Sequence, residues 1–148
     1  MRIANYLRPD CVALRQRADS LTGAVQQMVT LLNGTDNLTD TAVFAADVRA
    51  RLALGGVCVG NGLAIPHGTN DAKSAIKRTG ISFVRYPEPI DWNGKPAEFV
   101  VGIAGAGKDH MALLTKIAGV FLNKDEVARL RQASTPEEVR EVLGNTGK

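Results

Sequence analysis

Seven consecutive residues, Glu98-Phe99-Val100-Val101-Gly102-Ile103-Ala104, constrain the fold more than any other stretch. After Glu98 the run is uncharged and does not alternate apolar with polar. That is the pattern of a strand buried on both faces rather than one side-on to water. A strand covered on both faces needs layers above and below it, and the chain has helical patterns before and after it. The fold class that follows is α/β, a single mixed β-sheet flanked by helices, in one compact domain spanning residues 1–148.

The helical patterns have recognisable starts and stops. Leu21, Ala24, Val25, Met28, Leu31 and Leu32 follow helical spacing, and Asn33-Gly34 supplies a stop, predicting a helix over Leu21 to Leu32. Thr39 or Asp40 caps a second helix that carries Val43, Phe44, Val48 and Leu52 on one side, with Asp47 and Arg51 on the other. Val57-Cys58-Val59 and Leu63-Ala64-Ile65 read as short strands around Gly60-Asn61-Gly62, and Thr79 to Val84 reads as a further strand. Beyond the Gly105 to Lys108 loop, a helix from Asp109 or His110 to Leu122 is apolar nearly all round and expected to be buried. Asn123 opens a short helix, and Thr135-Pro136-Glu137-Glu138 begins another with a capping box and proline at its first position.

Composition removes several function classes. Lys and Arg number 18 against 15 Asp and Glu, a net charge of +3, which is no polyanion-binding signature. One Trp, two Tyr and four Phe, with no basic-aromatic stripe among them, make no platform for stacking bases, so no nucleic-acid partner is expected. No apolar run approaches the ~18 residues of a membrane span. Met1-Arg2 leads into Ile3-Ala4-Asn5-Tyr6 rather than a signal-peptide core. With two cysteines, Cys11 and Cys58, reduced thiols and a cytoplasmic location are the expectation, without direct membrane insertion.

Two motifs suggest chemistry and then fail on detail. Gly102 to Lys108 fits the opening of a phosphate-binding P-loop between a strand and a helix, but Asp109 stands where a hydroxyl must hold Mg²⁺. A tight glycine turn with Asp109 as helix cap fits better. Cys11 to Arg17 matches C-x5-R, yet its intervening residues include no glycine to turn backbone amides onto a phosphate. Cys11 then reads as a buried or half-buried thiol, and Cys58 has Ala64 at the matching position.

The two histidines remain. His67 follows Pro66, which stiffens the chain, and precedes Gly68, which permits a sharp turn. His110 lies at the start of a helix, where the macrodipole disfavours its protonation. Both fall at strand ends, the usual edge for sites in open α/β sheets. The bland alternative is that each is a satisfied histidine with no chemical task.

The segment GNGLAIPHGT, the following Ala72-Lys73, the TGISFVRYP stretch and Asp109-His110 before a helix resemble one family. It is the enzyme IIA domain of the bacterial phosphoenolpyruvate:sugar phosphotransferase system, mannitol/fructose type. The shared pattern runs from about Arg51 to Leu122. Gly68-Thr69 and the Thr-Gly to Tyr-Pro stretch look like the mannitol branch, whereas Asp91-Trp92 is closer to the fructose branch.

The resemblance implies a phosphocarrier. His67 would accept a phosphoryl group from the histidine phosphocarrier HPr as a tele-phosphohistidine and pass it to a cysteine of a cognate IIB domain that works with a membrane IIC. Imidazole suits this, being nucleophilic when neutral and a good leaving group. No cofactor or metal enters this logic. His110 matches the family's second active-site histidine and would donate an N–H to the phosphoryl group. Arg51 matches an arginine placed near the site; its other reading is a helix-surface pair with Asp47, worth ~0.2–0.5 kcal/mol. Asn61 falls where related sequences often carry a carboxylate, and Thr69 either orients His67 or ends a turn. The alternative function is a regulatory module of the same fold, in which phosphorylation of His67 controls partner proteins.

Overall fold

The computed structural model describes residues 3–53, 58–69, 74–92, 94–105 and 109–146. Val57, Ala72-Lys73, the loop residues 106–108 and the side chain of Cys58 lie outside the described residues. Two short 3-10 turns lead into β1 (Val12–Ala13), followed by α1 (Leu21–Gly34) and α2 (Thr41–Leu52). Then come β2 (Cys58–Gly60), β3 (Leu63–Ala64), β4 (Gly80–Trp92), β5 (Lys95–Ala104), α3 (Asp109–Val120), α4 (Lys124–Gln132) and α5 (Pro136–Thr146).

The strands lie in the order β1-β4-β5-β3-β2. The β4–β5 and β2–β3 pairs are antiparallel and the β1–β4 and β3–β5 pairs parallel, so the sheet is mixed, as expected. Side chains alternate across β4: Tyr86 donates its hydroxyl to Gln27 on α1, while Arg85 points the other way and donates to the Leu130, Arg131 and Ala133 carbonyls where α4 ends. On β5, Phe99 meets Phe121, just past α3, on the Arg85 side. The sheet is thus sandwiched, with α1 and α2 on one face and α3 to α5 on the other. Phe83, Val100, Val101 and Ile103 are fully buried between them.

Local chemistry sets the boundaries. Ser20 accepts from the Gly23 N–H to start α1. The helix runs two residues past the expected Leu32, because Gly34 stays helical and Asp36 takes the left-handed position at φ 61°. The Asp36 and Asn37 amides close back onto the Asn33 and Leu32 carbonyls, a Schellman ending with Asp in glycine's usual place. Asp40, not Thr39, caps α2, and Val43 is 44% exposed rather than part of the buried side. Asn61 and Gly62 both have positive φ, 52° and 77°, the two-residue turn that closes an antiparallel pair like β2–β3.

The largest departure is the β4–β5 hairpin, which extends to Trp92 and begins at Lys95, well beyond the expected Val84 and Glu98. Pro87 and Pro89 disguise it, since proline reads as a strand breaker. They fall where the pairing register shifts between Arg85 and Ile90, at a point where ladder donors are not required. The α3 expectation also needs correction: Leu113, Ile117 and Val120 are buried, but Met111 and, just beyond the helix, Leu122 are 65% and 80% exposed.

Candidate functional site

Because β3 and β5 are parallel, their C-terminal ends share one edge of the sheet, and each leads to a histidine. Past β3 the chain keeps to β5: Ile103 donates its N–H to the Pro66 carbonyl at 3.1 Å, and His67 bridges to Ile103. Past β5, α3 begins at Asp109 and carries His110 in its first turn. The two imidazoles meet edge to face, with ring centroids 5.0 Å apart and planes inclined by 62°.

The His67 ring is 8% exposed, and its Nδ1 lies 2.8 Å from the Ile65 carbonyl oxygen. A carbonyl can only accept, so Nδ1 carries the proton of the neutral ring and Nε2 keeps its lone pair. Burial is the main cause that pushes the His67 pKa below its ordinary 6.5, with the Ile65 bond opposing it. The positive charge of Arg51 lowers it further, and the negative charge of Asp47 raises it. His110 is lowered too, first by burial and then by the charges of His67 and Arg51. The expected direction holds, and its leading cause is desolvation.

The sign of the pH effect follows. Below pH 6.5 an unfolded chain takes up protons that the folded rings resist, so stability should be full above that pH and decline as pH falls through it. Denaturant midpoints measured from pH 7.5 to 5 should fall with pH in wild type, and less steeply in a variant lacking both histidines.

Glycines make the close approaches. A Cβ on Gly105 would lie 2.6 Å from His110 Cα and 2.7 Å from its Cβ, so only glycine lets β5 hand over to α3 this tightly. Gly105→Ala should displace the start of α3, cost about 1–3 kcal/mol in denaturant unfolding, and move His110 away from His67. A Cβ on Gly68 would come within 2.9 Å of Asp47 Oδ2 and 3.3 Å of the Phe44 ring. The requirement at Gly68 is close passage over α2 rather than a left-handed turn.

Arg51 is half-buried near the end of α2, and its charge reaches both rings. Asp47, expected on the helix surface beside Arg51, accepts instead from Thr69: the hydroxyl reaches Oδ1 at 2.8 Å and the backbone N–H reaches Oδ2. Thr69 therefore anchors the turn after His67. No linear pattern links Asp47 to Thr69, which explains why the sequence did not reveal the contact. Asn61 stands apart from the histidines, six residues before His67, and donates to the Phe121 carbonyl at 2.6 Å.

Both competing motifs lose their geometry. Gly102, Ile103 and Ala104 belong to β5, paired with Ser82, Ile81 and Gly80, and a Cβ on Gly102 would strike Met28 at 2.2 Å. Gly102 is there to let α1 pack on the sheet, while residues 106–108 lie outside the described residues. Asp109, in the first turn rather than at the cap, accepts from the Thr79 hydroxyl at 2.9 Å. Cys11 is 1% exposed, its thiol within 3.4 Å of the Leu31 carbonyl and 3.2 Å of the Thr35 hydroxyl. Burial raises its pKa, and the chain continues into β1 instead of a phosphate loop.

Among the described residues, no group of three or more His, Cys, Asp or Glu is placed to hold a metal ion, and no helix is long and apolar enough to cross a membrane. A neutral imidazole with an aimed lone pair, a second imidazole, a helix start and a nearby guanidinium suit one task. They can receive an electrophilic anionic group on nitrogen and stabilise its charge.

Comparison with known proteins identifies a family. Residues 5–146 match the family model described as phosphoenolpyruvate-dependent sugar phosphotransferase system, EIIA 2. The mannitol-specific phosphotransferase enzyme IIA component of Staphylococcus aureus strain Mu50 is 35% identical over 134 residues, 90% of this chain and 92% of that protein. The crystal structure of nitrogen regulatory protein IIA-Ntr from Neisseria meningitidis has a TM-score of 0.82 at 28% identity, covering 95% of this chain and 98% of that one. The Escherichia coli mannitol enzyme IIA, solved by NMR in complex with phosphorylated enzyme IIB, shares the fold at a TM-score of 0.83 and 22% identity, covering 94% and 99%. With the model matched over nearly its whole length, the chain belongs to the EIIA 2 family of the sugar phosphotransferase system.

Proposed function

We propose that this chain is the phosphocarrier IIA component of a mannitol-type uptake system, with His67 as its phosphoryl acceptor. The observation that carries the reading is the bond from His67 Nδ1 to the Ile65 carbonyl, which leaves Nε2 as the nucleophile. Nε2 attacks the phosphorus of phosphorylated HPr; the new N–P bond forms as the donor's N–P bond breaks. The proton stays on Nδ1, where the Ile65 carbonyl stabilises the positive ring of the product. His110 donates an N–H to the oxygens in flight, and Arg51 offsets their charge. The reverse polarity then delivers the group to the cysteine thiolate of a IIB domain.

Protein donors and acceptors need a surface to dock on. Met111, one residue past His110 on α3, is an apolar side chain left 65% exposed. The mannitol assignment draws on the name of the Staphylococcus aureus relative. The likeness to a nitrogen regulatory IIA supports a second reading, in which phosphorylated His67 is a signal rather than cargo.

One reconstitution separates the two. The chain is incubated with phosphoenolpyruvate, enzyme I and HPr, then mixed with a mannitol IIB domain. Transport predicts label on the IIB cysteine within the mixing time; label that stays on this chain predicts the regulatory role.

A further inference from the structure

The turn carrying His67 is tied on both sides. Before the ring, the Ile103 N–H holds the Pro66 carbonyl. After it, both oxygens of Asp47 are engaged by one residue, Thr69, through its hydroxyl and its backbone N–H. Two bonds from one carboxylate fix orientation as well as position, and a charged acceptor makes them strong. Gly68 lets this happen, since any Cβ there would crowd Asp47 Oδ2.

We propose that Asp47 is the positioning residue of the site: by clamping Thr69, its carboxylate holds the turn after His67 against α2 and fixes where Nε2 points. The proposal rests on the reading of His67 as phosphoryl acceptor and adds a residue that acts through Thr69. Without the clamp, the turn after the ring loses both of its bonds to Asp47 on α2. Among the described residues, the charges acting on His67 are Asp47 and Arg51 from α2, with the His110 ring of α3 against it, while Asp109 on α3 accepts from Thr79. Asp47 is the negative member of that set, so its removal should also lower the midpoint at which His67 titrates.

Three variants test this: Asp47→Ala, Asp47→Asn and Thr69→Val. Each is assayed for phosphoryl uptake from phosphorylated HPr, and His67 is titrated by proton–nitrogen NMR without any phosphoryl donor. Asp47→Ala and Thr69→Val should slow uptake roughly tenfold to a hundredfold, the scale of an ångström of misplacement. Asp47→Asn, keeping one acceptor oxygen, should fall between them and wild type. The His67 midpoint should drop in both Asp47 variants and stay near wild type in Thr69→Val, which keeps the charge. A tie that served only the fold would alter melting temperature and leave uptake by the folded variants at the wild-type rate, while the midpoint reads the charge of Asp47 apart from the clamp.

Wild-type uptake in folded Asp47→Ala and Thr69→Val overturns the proposal. If Asp47→Ala does not fold, Thr69→Val decides alone. If the wild-type chain itself takes no phosphate on His67, the phosphocarrier reading fails. The clamp is then judged on NMR: a His67 ring whose signals and midpoint ignore the loss of Asp47 overturns it.

Discussion

His67→Ala should fold and take up no phosphate. The substitution removes a side chain whose one bond recorded in the structure is to the buried carbonyl two residues back, a loss of about 1–3 kcal/mol, below the stability of a domain this size. The core beneath it, formed by Phe83, Val100, Val101 and Ile103, is untouched. What disappears is the nitrogen whose lone pair the Ile65 bond prepares, and His110, on α3, should not replace it. With phosphoenolpyruvate, enzyme I and HPr supplied, radiolabel on the variant should remain at background while wild type saturates. Incorporation at the wild-type rate would remove His67 from the account.

His110→Ala should still be phosphorylated on His67, but slowly. One donor lost at developing charge is worth ~2.7–4 kcal/mol in a preorganised site, about 10²–10³ in rate. The effect here should lie toward the lower end of that range, since Arg51 also reaches the site. Pre-steady-state labelling from phosphorylated HPr measures it. The resting His110 titrates below 6.5, and a phosphoryl dianion on His67 should drive it back up. An NMR titration of His110 that ignores the state of His67, with an unchanged rate in the alanine variant, would take His110 out of the site.

The parts of this molecule written in local pattern were legible in the sequence. The run Phe99 to Ala104 is buried on both faces as its unbroken apolar character requires, and the Asn61-Gly62 turn closes the pair its residues favour. Asp40 and Asn123 cap helices as their short polar side chains suggest. Both histidines fall on one sheet edge because each follows one of two parallel strands.

What was not legible depends on contacts between distant residues. The two-residue β1 exists only because it lies against Phe83 and Val84 of β4. The second half of β4 is a strand despite two prolines because β5 supplies its partner. Asn37 shows the same principle in the core: its backbone and side chain bind Lys77, Arg78 and Thr79, and Gly80 must be glycine to pass beside it. In the site, the contact between Asp47 and Thr69 spans 22 residues, beyond the reach of the helical spacing that pairs Asp47 with Arg51. Local spacing found the histidines, while only the folded chain shows what holds them.

The central claim is that phosphate resides on Nε2 of His67, with the proton kept on Nδ1 by Ile65. Long-range proton–nitrogen NMR on nitrogen-15-histidine-labelled protein, recorded before and after phosphorylation by phosphorylated HPr, tests it directly. The account predicts Nδ1 protonated in both states and phosphorus coupling on Nε2 of His67 in the second. Coupling on Nδ1 of His67, or on either nitrogen of His110, would contradict it.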